Sequence, residues 1–279
     1  MYDITFLILN YNSYSDLVAC VDTIKKNCEN YTIVIVDNGS KQSEVEALEL
    51  FCKQNKSMIL LKSKENLGFT RGNNIGFRYI KENIPCRYLA MINSDILLTE
   101  AGLVRKLDLA YEKYQFAVLG PDILPSHSNP MVNEPDDKKK VCDEIKRVQR
   151  QLRIMKVPII NCMYLVWNKI RYKLIQKKQN NQMNVQLGCE LHGCFWVFSQ
   201  LFTLDGLCED TFLYGEEHIL AKQCRDANMT MIYEPAIKVI HNESRATKKS
   251  MPGRIARKQF FYENYLQSLQ VLLNKYEDK

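Results

Sequence analysis

The chain has 279 residues, 46% hydrophobic and 25% charged, which is ordinary for a globular protein with a sizeable core and leaves room for one large α/β domain or two small ones. The first residues carry no basic n-region, the apolar run at 6–9 is too short for a signal peptide or a span, and no other stretch is long enough to cross a bilayer, so the chain is expected to stay on the side of the membrane where it is made. The formal charge of +6 is concentrated: from Lys138 to Lys178 there are thirteen Lys and Arg against Asp143 and Glu144, which points either to a local anionic partner or to a solvated surface helix.

The N-terminal part alternates strand and helix. Residues 4–9 read as a strand, with Ser13 or Ser15 capping a helix to about Lys26; residues 31–36 form a second strand. Ser40 or Ser43 opens a helix with the apolar stripe Val45, Leu48, Leu50 and Phe51, and residues 58–61 follow as a strand. A helix over 71–81 ends before Pro85, residues 88–92 are the fourth strand, 100–113 are helical and 117–120 are a further strand. This alternation predicts a parallel sheet with right-handed crossovers.

After Pro121 the pattern breaks into a loop marked by Pro125, Pro130 and Pro135. A basic helix is predicted over 138–156. Residues 159–175 mix aromatics with basic residues and suit either a headgroup boundary or a helical pair packed on the body. A strand over 191–198, a helix over 215–227, two strands at 230–233 and 237–240 around Pro235, and a basic aromatic helix from Pro252 complete the chain. The ten cysteines form no C-x-x-C pair, which argues against a zinc knuckle and for small core residues in a reducing compartment.

Two of the strands carry the chemistry. Both are continuous apolar runs, as in strands covered on two faces, and one ends at Asp37 while the other ends at Asn93-Ser94-Asp95. Ligands of open α/β sheets bind beyond the carboxyl ends of such strands, and two acids there suit a nucleotide with a hard cation on its phosphates. Asp37 either accepts a hydrogen bond from the imide N–H of uracil or thymine, a donor that cytosine lacks, or caps the following helix.

Taken in order, the segments Leu9-Asn10-Tyr11-Asn12, Val36-Asp37-Asn38-Gly39-Ser40, Asn66-Leu67-Gly68-Phe69, Arg71-Gly72-Asn73-Asn74-Ile75-Gly76, Asn93-Ser94-Asp95, His192-Gly193-Cys194-Phe195, Phe212-Leu213-Tyr214-Gly215-Glu216-Glu217 and Val239-Ile240-His241 resemble those of family 2 glycosyltransferases, inverting nucleotide-sugar enzymes with the GT-A fold. Within that family the chain looks most like bacterial rhamnosyl- and galactofuranosyl-type enzymes of surface polysaccharide biosynthesis. The resemblance implies an α/β, Rossmann-like GT-A domain over 1–245 with a mostly parallel central sheet, a basic helical insertion at about 126–183 and a C-terminal helical tail at 246–279.

It also implies roles for single residues. Tyr11 and Asn12 would meet the donor, with the Tyr11 ring stacked on a pyrimidine, and Asp37 would hold the base of a UDP- or dTDP-sugar. Asn93-Ser94-Asp95 occupies the place of the family's D-x-D motif, with Asp95 a direct ligand of Mg²⁺ or Mn²⁺ and the uncharged Asn93 in place of the first acid. His241 would ligate the same metal. Arg71 is expected at the donor phosphates, with Asn74 beside it.

Glu217 stands where the family has its catalytic base, one methylene longer than the usual Asp. Glu216 either holds an acceptor hydroxyl or serves only the helix dipole. A further family acid is replaced by Ile219. His192, Gly193 and Trp196 fall on the acceptor side, where Trp196 either stacks a sugar ring or belongs to the core. The acceptor would be a glycan or lipid-linked glycan. The segment from Lys138 to Lys178 would give peripheral contact with the inner face of the plasma membrane, in a cytoplasmic protein with no nucleic-acid partner expected. A nucleotidyltransferase shares such a sheet but carries a glycine-rich loop after its first strand, which is absent here. A non-catalytic sugar-nucleotide binder is the other alternative.

Overall fold

A computed structural model describes residues 1–131, 135–155, 184–242 and 253–277. The first half is strand β1 (Tyr2–Asn10), helix α1 (Tyr14–Asn27), β2 (Tyr31–Asn38), α2 (Gln42–Lys53), β3 (Met58–Ser63), α3 (Gly68–Asn83), β4 (Cys86–Asn93), the short β5 (Ile96–Leu98), α4 (Leu103–Tyr114) and β6 (Val118–Leu124). The second half is α5 (Lys138–Met155), β7 (Gln186–Leu187), β8 (Phe195–Phe198), α6 (Glu216–Asp226), β9 (Met231–His241) and α7 (Arg254–Glu277). The expected run at 159–175 and most of the link into the tail lie outside the described residues.

One sheet runs β3-β2-β1-β4-β8-β6-β9-β5, with β7 paired to β9. It is a mostly parallel mixed sheet, as the family resemblance implies; only the wholly parallel sheet that the βα alternation taken alone predicts is interrupted. β8 enters antiparallel between β4 and β6, and β5 and β7 lie antiparallel to β9. The parallel part follows from the βα order.

β9 is one strand where two were expected around Pro235. Its pairing with β6 skips from Pro121–Glu234 to Asp122–Lys238, so Pro235 sits in the irregularity, where its missing N–H breaks no ladder bond. β5 escaped the sequence reading because three residues carry no periodicity.

Two cores flank the sheet. α1, α2 and α4 bury Leu17, Ile24, Leu48 and Leu107 against one face, while Leu50, expected in the α2 stripe, is exposed. On the other face α3 and α6 bury Phe77, Ile80 and Leu220. α3 lies very close to β1, because a Cβ at Gly76 would stand 2.2 Å from Leu7 Cδ1 and one at Gly72 2.8 Å from Leu9 Cδ1.

A further layer, α5 with α7, is joined by Val148 and Met155 of α5 packed on Tyr262, Tyr265 and Leu269 of α7. It docks on α6 through Val141, Ile219 and Leu272. Ile219, the position where the resemblance leads one to expect an acid, is thus an apolar anchor; burying such a side chain contributes about 1.5–3 kcal/mol.

Candidate active site

The sheet topology brings the two acidic motifs to one rim. β4 ends at Asn93, the chain turns through Ser94 and Asp95, and β5 returns along the end of β9 with Ile96 opposite His241. Asn242 N–H donates to the Asp95 carbonyl at 3.1 Å. The side chains consequently meet, Asp95 Oδ1 lying 3.2 Å from His241 Nε2, with 14% and 13% exposure. The His192 ring lies 5.9 Å from that of His241. Its Nδ1 accepts from Cys194 N–H at 3.2 Å, which leaves the ring proton of a neutral imidazole on Nε2.

α6 starts opposite this group. Tyr214 (φ +67°) and Gly215 (φ +84°) are both left-handed and swing the chain into the helix, putting Glu216 and Glu217 in its first turn, where the dipole favours acids. Glu217 Oε1 accepts the Gly193 N–H at 3.2 Å. Gly193 and Cys194 therefore span the gap between the base candidate and the Asn93-Ser94-Asp95 turn, as Asn93 N–H donates to Cys194 O at 2.9 Å. Burial raises the Cys194 thiol well above its ordinary pKa, and the charges of Asp95 and Glu217 both add to the effect, so the two carboxylates act on one point. All these groups line a cleft of about 1220 Å³.

Glu216 is 8% exposed, and its Oε2 is buried with no hydrogen-bond partner among the described residues. Burial, followed by the nearby Glu217 charge, pushes its carboxyl well above the usual range. A carboxyl whose pKa is raised by folding holds its proton more tightly in the folded state. Its contribution is complete below the unfolded pKa and is lost as pH rises through the folded value. Glu216→Gln is therefore expected to leave the melting temperature unchanged near roughly pH 4 and to raise it increasingly toward neutral pH, a tenfold difference in proton affinity between the two states being worth about 1.4 kcal/mol. Melting curves across pH check this; a pH-independent difference would show that Glu216 does not titrate on unfolding.

The sequence model of glycosyl transferase family 2 matches residues 5–203. The chain belongs to glycosyl transferase family 2. It is 21% identical over 243 residues to the low-salt glycan biosynthesis hexosyltransferase Agl10 of Haloferax volcanii, a match covering 86% of this chain and 67% of that protein. Among solved structures it is similar to GalNAc-T7 with UDP, GalNAc and Mn²⁺, with a TM-score of 0.59, 11% identity and coverage of 99% of this chain. The mannosyltransferase PcManGT of Pyrobaculum calidifontis in complex with GDP-Man and Mn²⁺ gives a TM-score of 0.54 at 12% identity, covering 100% of this chain and 74% of that one. The chain spans half the length of GalNAc-T7. The fold is that of GT-A glycosyltransferases.

In this family 2 glycosyltransferase the cleft gathers Asn93, Asp95, His192, Gly193, Glu216, Glu217 and His241 from the sequence-predicted set. It does not gather the rest. Trp196 is 0% exposed, packs edge-on to Phe69 and Phe198, and donates its indole N–H to Leu191 O at 3.1 Å. It is a core residue, which corrects its acceptor-side reading.

Asn74 is likewise buried away from any donor. Its amide donates to Leu207 O and Glu209 Oε1 at 2.8 and 2.9 Å, and its oxygen accepts from Leu207 N–H, so it ties α3 to the loop before α6. Arg71 is exposed outside the cleft, where its charge helps hold the Glu209 carboxyl low, behind larger contributions from Asn74 and Arg78.

Asp37 is 1% exposed and does not line the cleft. Its Oδ1 accepts from Asn10 Nδ2 and its Oδ2 from Ser40 N–H, both at 3.1 Å. It braces the loop after β2 and does not cap α2, whose first residue is Gln42. Each carboxylate oxygen retains a second lone pair. Asn12 joins the same loop, its N–H donating to Ser40 Oγ at 2.9 Å and its Oδ1 accepting from Lys41 N–H at 3.0 Å, while Tyr11 is half-buried beside it.

Residues that sequence reasoning missed connect these parts. Ser13 Oγ donates to Asn10 Oδ1 at 2.9 Å and lies 2.9 Å from Ser94 Oγ. Ser13 has one proton, so Ser94 is the donor to Ser13. A chain Asp37–Asn10–Ser13–Ser94 thus runs along the rim to the Asp95 turn. Its one legible signal is polar residues set at the ends of buried strands. The other omissions are Asp143, Glu144 and Arg147 of α5 and Phe261 and Tyr265 of α7, which form a second wall of the cleft.

The residues present fit a divalent cation. Asp95 and His241 converge on the cleft with a hard oxygen and an imidazole nitrogen. No group of three or more His, Cys, Asp or Glu suited to a metal occurs among the described residues. Two protein ligands completed by diphosphate and water is how Mg²⁺-type sites in phosphate chemistry are built.

Proposed function

We propose that this chain is an inverting glycosyltransferase that moves a sugar from a UDP- or dTDP-sugar to a hydroxyl of a glycan or lipid-linked glycan, in the manner of surface polysaccharide synthesis. The observation that carries the reading is the convergence of Glu217 on the Asp95–His241 pair across Gly193 and Cys194 in one cleft.

In this reading the donor base lies on the Tyr11 ring, with its imide N–H directed at a remaining lone pair of Asp37. The rim chain through Asn10, Ser13 and Ser94 holds that end in register with the phosphate end. Asn93 meets a ribose hydroxyl. Asp95 and His241 hold Mg²⁺ or Mn²⁺, which when bound supplies positive charge to the diphosphate.

Glu217, oriented through Oε1 by the Gly193 N–H, takes the proton of the acceptor hydroxyl on Oε2. The acceptor oxygen attacks the anomeric carbon from the face opposite the diphosphate. The bond from that carbon to the diphosphate oxygen breaks, and its electron pair leaves with the nucleotide. The configuration inverts in one displacement, with no covalent enzyme intermediate.

The membrane contact expected of the segment from Lys138 to Lys178 rests, in this reading, on residues beyond α5. Within α5, Lys138, Lys140, Lys146 and Arg147 pair with Glu277, Asp136, Asp143 and Glu144. No helix of the described residues is long and apolar enough to cross a membrane.

The test is a thermal-shift panel of UDP-, dTDP-, GDP- and CMP-sugars with and without Mn²⁺, followed by nucleotide-release assays with the donors that bind. A ligand at 100 times its Kd stabilises by about 2.7 kcal/mol, which the melting curve reads directly. UDP- or dTDP-sugar stabilisation that grows with Mn²⁺ is expected. Stabilisation by GDP- or CMP-sugars alone would overturn the role of Asp37, and no stabilisation by any donor would overturn the transferase reading.

A further inference from the structure

The cleft has two walls of different origin. One is the sheet rim with Asn93, Asp95 and His241; the other is made by α5 and α7, and α7 lies beyond the residues that match the family. The second wall is aromatic at its centre. Phe261 of α7 is 37% exposed although it lines the cleft. Its ring stands 5.6 Å from Tyr265 at an interplanar angle of 20°, 5.3 Å from Tyr262, and 4.8 Å from Tyr214. Tyr262 and Tyr265 are buried in the α5–α7 contact, so the exposed phenyl ring rests on a rigid base.

Tyr214 connects this platform to the proposed chemistry. It lies three residues before Glu217 and is held in the left-handed region, which costs a non-glycine residue about 1–2 kcal/mol. Beside the rings, α5 presents fixed polar groups. Arg147 Nε donates to Glu144 Oε2 at 2.6 Å, and a second Arg147 nitrogen donates to Glu144 Oε1, so both side chains are locked at the cleft wall. A flat, exposed, rigid ring set among oriented charged groups does not suit an alkyl chain, which needs a continuous apolar path. It suits a pyranose ring, which lays a C–H face on an aromatic face and turns its hydroxyls to polar neighbours.

We infer that the α5–α7 wall is the acceptor subsite of the transfer reaction, with Phe261 the stacking platform for a pyranose ring of the acceptor. The inference rests on the glycosyltransferase reading above. It assigns acceptor selection to α5 and to α7, the latter beyond the family-matched residues, and it replaces the buried Trp196 with an aromatic ring that solvent reaches.

Saturation-transfer NMR on the full chain tests it, with UDP and Mn²⁺ present and a panel of methyl pyranosides (gluco, galacto, manno, rhamno and N-acetylglucosamine) as probes, and octanol as the lipid-like probe. Wild type is expected to bind at least one pyranoside. Phe261→Ala and Phe261→Leu are expected to bind it about tenfold more weakly, and Phe261→Trp to retain it. The thermal shift given by UDP should be the same in all four proteins, which shows that each is folded with its donor site intact.

Full pyranoside binding by Phe261→Ala overturns the subsite. Retention by Phe261→Leu overturns stacking, as does octanol binding that follows Phe261 in place of the pyranosides. Failure of wild type to bind any pyranoside overturns the proposal. Where UDP gives wild type no shift, dTDP takes its place throughout; absence of a shift with every sugar nucleotide overturns the transferase reading instead, and the acceptor role falls with it.

Discussion

Glu217→Gln is expected to lower the rate of sugar transfer by roughly 10²–10⁴-fold, the usual contribution of a positioned general base, while leaving sugar-nucleotide binding unchanged. The substitution keeps the shape of the side chain and an oxygen that can still accept the Gly193 N–H, so the orientation seen at 3.2 Å survives. What is lost is the capacity to take the acceptor proton. The proposed donor end, at Asp95 and His241, is carried by the β4–β5 turn and the end of β9 and is separate from the helix that bears Glu217.

The check is single-turnover transfer beside a thermal shift with the donor. A rate within about tenfold of wild type would remove Glu217 from the base role. Glu216→Gln is the internal control: its carboxyl is buried, with its pKa pushed up by burial and then by the Glu217 charge, and it is expected to matter less for the chemical step.

His218→Ala is expected to be the most destabilising substitution near the site, at roughly 3–5 kcal/mol, the combined cost of a buried carboxyl losing its hydrogen-bond partner and of the cavity left by the ring. His218 is buried on α6 directly after Glu217. Its Nδ1 lies 2.7 Å from Glu190 Oε2 and its Nε2 lies 3.1 Å from the Tyr265 hydroxyl. Alanine leaves the Glu190 carboxylate in the interior with Arg225 NH1 at 3.4 Å, and it cuts a polar tie between α6 and α7.

For a domain of this size 1 kcal/mol corresponds to about 2–4 °C, so the melting temperature should fall by roughly 6–20 °C. Tyr265→Phe removes one hydrogen bond and should cost about 1 kcal/mol. Denaturation followed by circular dichroism distinguishes the two; a His218→Ala loss no larger than that of Tyr265→Phe would show that Glu190 is satisfied without the histidine. Since α6 carries Glu217 and α7 carries Phe261, loosening this joint should also reduce transfer.

Local pattern and long-range packing left different marks on this chain. β1, β2, β3 and β4, with α1 to α3 between them, were legible because a strand buried on both faces must be a continuous apolar run, and its neighbouring helix must show a 3.6-residue stripe. The rim acids were legible for a related reason: a carboxylate directly after such a run stands at the carboxyl edge of the sheet. What local pattern did not show is that Asp37, read as a base ligand or a helix cap, also braces the loop to Ser40, because Asn10 from the neighbouring strand reaches it. Trp196 reads as either a sugar platform or a core residue and is core, because β8 is threaded between β4 and β6, where both faces are covered.

The amino-acid sequence by itself determined the alternating βα half and the order of motifs that marks the family, and it singled out Asp95, Glu217 and His241, which line one cleft. Periodicity and strand-end polarity are local, so a window of about ten residues holds them. Tertiary structure alone decided that β9 passes through Pro235 unbroken, that Ile219 is an anchor for α5 and α7, and that Phe261 faces Glu217's cleft from a helix at the far end of the chain. Those outcomes follow from which distant surfaces bury one another, and that free energy is shared between segments whose own patterns are equally compatible with other partners.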